Sequence, residues 1–336
     1  MDYRTLGKTG LQVSPVGIGS WQLSGPLSLN GKADGFPELG RGQVIELIRG
    51  CGELGINFID TAPIYGDGEG ESRIGEAIRG QRDQWIVSSK FGMWRGERGE
   101  RVVNTHPSAI RPTLEGSLRR LQTDYVDVYL YHSPPEGHLI VEGQQVLEAL
   151  KREGKLRFYG ISTDDPKVLA QLADQQAVDV AMFAQSLLKH PAPMLKLVKD
   201  HNLGVIVRGS LAAGQLSGKY FDQPPRLSEQ DIRTGVAYAW KRYGVYKKFL
   251  PAGGSMTAFA LRYLLDFETT HTIILGGKSI ENYQTALAAL ALPPLGAETH
   301  RALTQVRRTL SIKNRGSRAI RRLGRPLKRL VGAELF

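Results

Sequence analysis

An α/β fold is expected, because short apolar, β-branched runs alternate strictly with amphipathic helical stretches along the chain. Eight such pairs can be marked off, and eight is the number that closes a parallel (β/α)8 barrel of the TIM type, for which this length is suitable. Pattern alone also admits an open, doubly wound sheet. Strands are expected near Val16–Ser20, Ile56–Asp60, Trp85–Lys90, Val126–Tyr131, Phe158–Ser162, Val178–Ala184, Gly204–Val207 and Thr272–Leu275, with a short β-hairpin before the first. Helices are expected near Arg41–Leu54, Glu71–Arg79, Pro107–Leu121, Gly143–Arg152, Asp165–Asp174, Pro191–His201, Ser255–Leu265 and Ile280–Leu290. Pro107 and Pro191 stand where a first-turn proline costs no hydrogen bond, and Asp164-Asp165-Pro166 supplies a capping carboxylate followed by such a proline. Three connections stand out: Phe91–His106, Arg208–Gly254 and the glycine-rich insertion Leu27–Gly40. Long loops at the catalytic rim of a barrel usually carry function.

Two units follow, a barrel over 1–310 and a basic tail over 311–336. The formal charge is +11, and almost all of the excess lies beyond His300. Arg301, Arg307, Arg308, Lys313, Arg315, Arg318, Arg321, Arg322, Arg325, Lys328 and Arg329 are opposed there by Glu334 alone. The high isoelectric point therefore describes the tail and not the barrel. A single cysteine, Cys51, excludes an intrachain disulfide and a cysteine-based zinc cluster, and its helical setting suits a small buried apolar group. Met1-Asp2-Tyr3-Arg4 lacks the apolar core of a signal peptide, and no run approaches the roughly 20 apolar residues of a membrane span. A cytoplasmic location is expected. In the tail, Ile320, Leu323, Leu327 and Leu330 recur at spacings of three and four among arginines and lysines, a basic amphipathic pattern that suits an anionic membrane surface. Pro326 divides it into two pieces. A solvated tail, or one packed on the barrel, is the ordinary alternative. Without interleaved aromatics or a recognised module, nucleic-acid binding is not expected.

Three expected strands end in titratable groups. Asp60 closes the run through Phe58-Ile59, Lys90 the run through Ile86-Val87-Ser88-Ser89, and His132 follows Val126–Tyr131. Tyr65 lies just past the first. Singly, each has an ordinary structural reading: a cap, a solvated lysine, a hydrogen-bonded histidine, a tyrosine packed on a loop. Jointly and in order, they match catalytic groups standing on the C-terminal rim of a parallel barrel.

Phe58-Ile59-Asp60-Thr61-Ala62-Pro63-Ile64-Tyr65-Gly66 resembles the signature of the aldo-keto reductase family. So do Ser117-Leu118-Arg119-Arg120-Leu121, Asp124-Tyr125-Val126-Asp127 and the stretch from Tyr3 to Leu11. The resemblance runs from about Tyr3 to about Leu292. It implies hydride transfer between NADP(H) and an aldehyde or ketone, or the reverse from the alcohol, with Asp60, Tyr65, Lys90 and His132 as the catalytic group. The chemistry suits these residues. Tyr65 would give the proton to the developing alkoxide, and a nearby Lys90 would lower the phenol's pKa from about 10. Asp60 would hold the ammonium, and His132 would donate to the substrate oxygen.

The cofactor reading comes from the same resemblance. Gly17-Ile18-Gly19-Ser20-Trp21-Gln22 lacks the third glycine of a dinucleotide fingerprint, and Gly277-Lys278-Ser279 lacks the first glycine of a P-loop. The resemblance instead implies NADP(H) extended across the barrel mouth, with NAD(H) as the second choice. Ser20 and Trp21 would lie beside it, with Ser162, Thr163 and Gln185 at the nicotinamide. Ser210, Leu211, Gly214 and Leu216 would cover the pyrophosphate. Lys278 and Ser279 would meet the 2′-phosphate at a helix start, and Asn282 the adenine. Thr163, Leu188, Ser210, Leu275 and Ala286 depart from the family pattern. Trp21, Trp94 and Tyr131 are the candidate substrate walls. No metal site is expected. A second functional reading is an NADP(H)-binding regulatory subunit like the potassium-channel β-subunits, membrane-associated through the tail.

Overall fold

A computed structural model describes residues 1–223, 225–235 and 243–311. Eight parallel strands close into a barrel: β1 Val16–Gly19, β2 Phe58–Asp60, β3 Ile86–Phe91, β4 Val126–Tyr131, β5 Leu156–Ser162, β6 Val180–Ala184, β7 Gly204–Arg208 and β8 Thr272–Leu275. Each strand pairs with the next in sequence, and β8 returns to β1 with Ile273 opposite Val16. This settles the choice left open by the alternation, since an open sheet would have two unpaired edges.

The surrounding helices are α1 Arg41–Glu53, α2 Glu69–Ala77, α3 Pro107–Leu121, α4 Ile140–Arg152, α5 Pro166–Asp174, α6 Ala192–Asp200, α7 Met256–Leu265 and α8 Ile280–Ala291. A further helix occupies 297–311. Its His300 Nε2 lies 2.8 Å from Asp266 Oδ2, and its Arg307 donates to the Tyr263 hydroxyl at 2.9 Å. Of the basic tail expected over 311–336, residues 312–336 lie outside the described residues. No helix of the described residues is long and apolar enough to cross a membrane.

Side chains alternate across each strand, so one face fills the barrel and the other meets the helices. Phe58, Ile86, Val128, Leu130, Val180, Met182 and Ile206 form the inner cluster. Ile59, Val87, Tyr129, Tyr131, Ile161 and Val207 belong to the outer one, under the helices. The expected hairpin, Arg4–Thr5 with Gln12–Val13, closes the bottom, and its Leu6, Leu11 and Val13 join the inner cluster. Room for this plug depends on Gly204, where a Cβ would come within 2.8 Å of the Leu6 side chain.

Two of the three conspicuous connections contain hairpins that the alternation did not reveal. After β1, Ser28–Leu29 pairs with Lys32–Ala33 across Asn30 and Gly31, both at positive φ (52° and 73°). Asn-Gly at a two-residue turn favours this geometry. After β3, Met93–Arg95 pairs with Arg101–Val103. The two hairpins are joined by Asn30 N–H donating to Gly99 O at 2.9 Å, and the loop after β7 joins them through Ile232 N–H donating to Gly35 O at 3.0 Å. A wall of three linked segments thus stands on one side of the mouth.

Candidate active site

Strand parity places the key groups. Phe58 faces inward, so Asp60 at the end of β2 does too. Ile86 faces inward, so Ser88 and Lys90 share its side. Lys90, although 1% exposed, spends its ammonium on three acceptors: Asp60 Oδ2 at 2.7 Å, Thr61 O at 2.8 Å and Tyr65 Oη at 3.2 Å. Ser88 Oγ donates to the other Asp60 oxygen at 3.1 Å. Tyr65 is held by the turn that follows it. Gly66, Asp67 and Gly68 all have positive φ, and a Cβ on Gly66 would lie 2.0 Å from Ser24 O, so only glycine fits there. His132 enters beyond β4, its N–H bonded to Phe91 O at 2.8 Å and its ring edge-on to Tyr65 at 5.8 Å between centroids. The four residues predicted to share a site are therefore in one cluster.

The electrostatics follow from burial. Burial would lower the Lys90 pKa, but Asp60 and Tyr65 outweigh it and hold the ammonium charged. Burial raises the Asp60 carboxyl above the usual range, with Lys90 pulling against it. The Tyr65 phenol is also raised, because burial and the Asp60 charge outweigh the pull of Lys90. This corrects the expectation that Lys90 would produce a net lowering. Burial, then Lys90, Arg208 and Arg101, push the His132 ring well below its ordinary value, so the imidazole is neutral. Its Nδ1 is buried without a partner among the described residues.

The remaining predicted residues divide into two groups. Trp21 stacks on Tyr65 at 5.8 Å and donates from Nε1 to Asp34 O at 3.1 Å, so it lines the cluster. Trp94 is half-buried in the hairpin after β3, opposite Val102. Tyr131 does not join the mouth. It lies one residue before His132, on the outward parity, and packs on Phe91 with centroids 4.3 Å apart under α3 and α4. Its placement as a substrate wall is thereby overturned.

Buried, unpaired polar atoms mark the other side of the mouth. Ser20 Oγ, just past β1, and both amide atoms of Gln185, just past β6, have no partner among the described residues. Ser162 closes β5, and Thr163 Oγ1 accepts from Asp165 N–H at 3.1 Å. Ser210 is buried after β7, and the chain around it winds through positive φ at Gly209, Ala212, Ala213 and Gly214. Gly214 and Leu216 both turn their N–H groups back to Leu211 O, and the Leu216 side chain is buried in the outer core. Ser279 precedes the first turn of α8, and Asn282 Oδ1 accepts from Lys278 N–H at 3.0 Å. The Lys278 ammonium lies 5.3 Å from the Phe36 ring, and burial lowers its pKa. Among the described residues no group of acids, histidines or cysteine could hold a metal ion.

Sequence reading missed five residues here. Arg208 ends β7, where Asp164 Oδ1 holds its guanidinium at 3.1 Å; Asp164 Oδ2 also takes Lys189 at 2.7 Å. Arg101 reaches Asp34 at 2.7 Å. Arg208 at a strand end was visible by the same rule that found Asp60. The Arg101–Asp34 pair joins two hairpins and had no local signal.

The family model described as Aldo/keto reductase family matches residues 15–308. The chain is 30% identical to the uncharacterized oxidoreductase YqkF of Bacillus subtilis, over 90% of this chain and 95% of the relative. It is 32% identical to an NADH-specific methylglyoxal reductase of Escherichia coli, over 63% of this chain and 68% of that one. Among solved structures, the holo form of aldo-keto reductase AKR11C1 from Bacillus halodurans superposes with a TM-score of 0.76 at 29% identity, over 91% of this chain and 96% of that one.

Proposed function

Since the chain belongs to the aldo/keto reductase family of oxidoreductases, we propose that it reduces an aldehyde or ketone with NADP(H) and that Tyr65 supplies the proton. The observation that carries this reading is the Lys90 ammonium, buried and shared between Asp60 and the Tyr65 hydroxyl. A raised phenol pKa keeps the proton on Tyr65 at neutral pH, ready for transfer. As negative charge builds on the substrate oxygen, Lys90 stabilises the phenolate left behind, and Asp60 keeps Lys90 in place. The neutral His132 imidazole is free to donate one ring N–H to the same oxygen, its tautomer set by the groups around it. Trp21, stacked on Tyr65, covers the phenol on one side.

The unpaired groups at the mouth fit a dinucleotide. Bound there, the nicotinamide would supply the hydride. Gln185 offers a donor and an acceptor, the complement of a carboxamide, and burial without partners makes their engagement favourable. Ser162 and Thr163 stand on the neighbouring strand end. Lys278 at the start of α8 suits the phosphate that distinguishes NADPH from NADH. Asp231 and its ion-pair partner Arg233, 2.6 Å apart, act on Lys278 with opposite signs, so NAD(H) is the coenzyme to compare.

The test is oxidation of NADPH and of NADH against a panel of carbonyl compounds, with Tyr65→Phe beside the parent protein. Removal of the acid should lower kcat by about a hundred- to ten-thousandfold while dinucleotide affinity, read by fluorescence, stays the same. Full activity in Tyr65→Phe would reject the assignment.

A further inference from the structure

The wall of the mouth beside Tyr65 carries a guanidinium that the reduction chemistry does not use. Arg101 is connected to the phenol by two routes. On one side the Tyr65 ring stacks on Trp21, whose indole N–H donates to Asp34 O, and the Asp34 carboxylate takes Arg101 Nη2 at 2.7 Å. On the other side Tyr65 and Met93 both pack against the buried Leu29, Ala62 and Ile64, and Met93 Sδ lies 3.8 Å from Arg101 Nη1.

The pairing with Asp34 positions Arg101 without exhausting it. The Asp34 side chain is 12% exposed and that of Arg101 39%. Asp34 engages Nη2 and the weakly accepting Met93 sulfur lies by Nη1, so of the five N–H donors the Nε–H and the second hydrogens of the two Nη groups are left for another acceptor. The strand register of the hairpin and the Asn30–Gly99 bond fix the arm from which Arg101 extends. The charges that act on the His132 ring are those of Lys90, Arg208 and Arg101, and all three are cationic. Lys90 is committed to Asp60, whereas Arg101 and Arg208 are both partly exposed.

We propose that the substrate is a carbonyl compound carrying an anionic group, a carboxylate or a phosphate, and that Arg101 recognises this group while Tyr65 addresses the carbonyl. The proposal rests on the reductase reading of the same site. A half-exposed guanidinium engaging a carboxylate by charge-assisted hydrogen bonds is worth about a tenfold gain in kcat/KM or more. Asp34 acts as a positioning residue. It holds the fork before the substrate arrives, which lowers the ordering cost of binding.

The test uses matched aldehydes with the full-length protein: succinic semialdehyde against butanal, and para-carboxybenzaldehyde against para-methylbenzaldehyde. The parent protein should prefer the carboxylated member of each pair by about tenfold or more, and added salt should reduce that preference. Arg101→Met should collapse the ratio, and Arg101→Lys should restore part of it. Equal kcat/KM within the pairs, or equal losses on both members in Arg101→Met, would overturn the proposal. A second readout needs no turnover: para-carboxybenzyl alcohol is titrated against tryptophan fluorescence in the parent protein and in Arg101→Met. Binding that depends on Arg101 without turnover of any aldehyde keeps the anion site and rejects the reductase reading. Turnover of neutral aldehydes without such binding keeps the reductase reading and rejects the anion site. Failure of both readouts rejects both.

Discussion

Replacing Lys90 by methionine tests whether burial or charge pairing governs the centre of the barrel. Methionine fills a similar volume but removes the ammonium that Asp60, Thr61 O and Tyr65 Oη share. Asp60 is 2% exposed and would keep only the Ser88 hydroxyl as a donor. Breaking a buried ion pair from one side costs about 3–5 kcal/mol, chiefly because a charge is left uncompensated. The stranded carboxyl escapes by taking a proton, so its folded pKa should climb further above the ordinary 3.8. A carboxyl whose folded pKa exceeds its unfolded value favours the folded state at low pH, and that advantage disappears as pH rises through the folded pKa. The deficit of Lys90→Met should therefore be largest at neutral and alkaline pH and shrink as pH falls toward about 4. Adding Asp60→Asn should recover at least about 2 kcal/mol at neutral pH, since no charge is then stranded. Urea unfolding followed by circular dichroism at several pH values measures each quantity. A pH-independent deficit, or a double variant no more stable than the single one, would refute the account.

Two further outcomes follow from the same structure. With Tyr65 raised above 10.0 and His132 depressed well below 6.5, the kcat/KM for carbonyl reduction should stay flat across that interval and fall only as pH rises through the phenol's folded pKa; a loss centred below about 9 would contradict the assignment of the acid. Burial pushes the Cys51 thiol up to about 12, so a thiol reagent should label the chain only after unfolding, and rapid labelling of the native protein would show that α1 does not pack as described.

Much of the architecture was legible because period-two and helical patterns are local properties. The eight strand positions and the sites of Asp60, Lys90 and His132 come from such patterns, with Tyr65 just past the first of these strand ends, and the resemblance implied the same roles for the four. The Tyr131 error was avoidable. Residues alternate sides along β4, so Tyr131 and His132 could not both face the mouth, and the buried run before them favoured the inward position for His132. The direction of the Tyr65 shift was not legible, because it depends on how completely the phenol is enclosed, and adjacency to Lys90 in the fold says nothing of that. The hairpin after β1 had a usable signal in Asn30-Gly31. The Arg101–Asp34 pair had none: the partners are 67 residues apart, and only their facing hairpins bring them together.

The segment after β1 touches both other parts of the wall, through Asn30 to Gly99, Asp34 to Arg101 and Gly35 to Ile232. Its role resembles that of a keystone. An exchange of the β3 loop alone, as in a chimera made to change selectivity, would break two of these ties and leave Asp34 facing a foreign partner. Retargeting this enzyme should therefore succeed when residues 25–40 and 92–106 are transplanted together, and fail when either travels without the other.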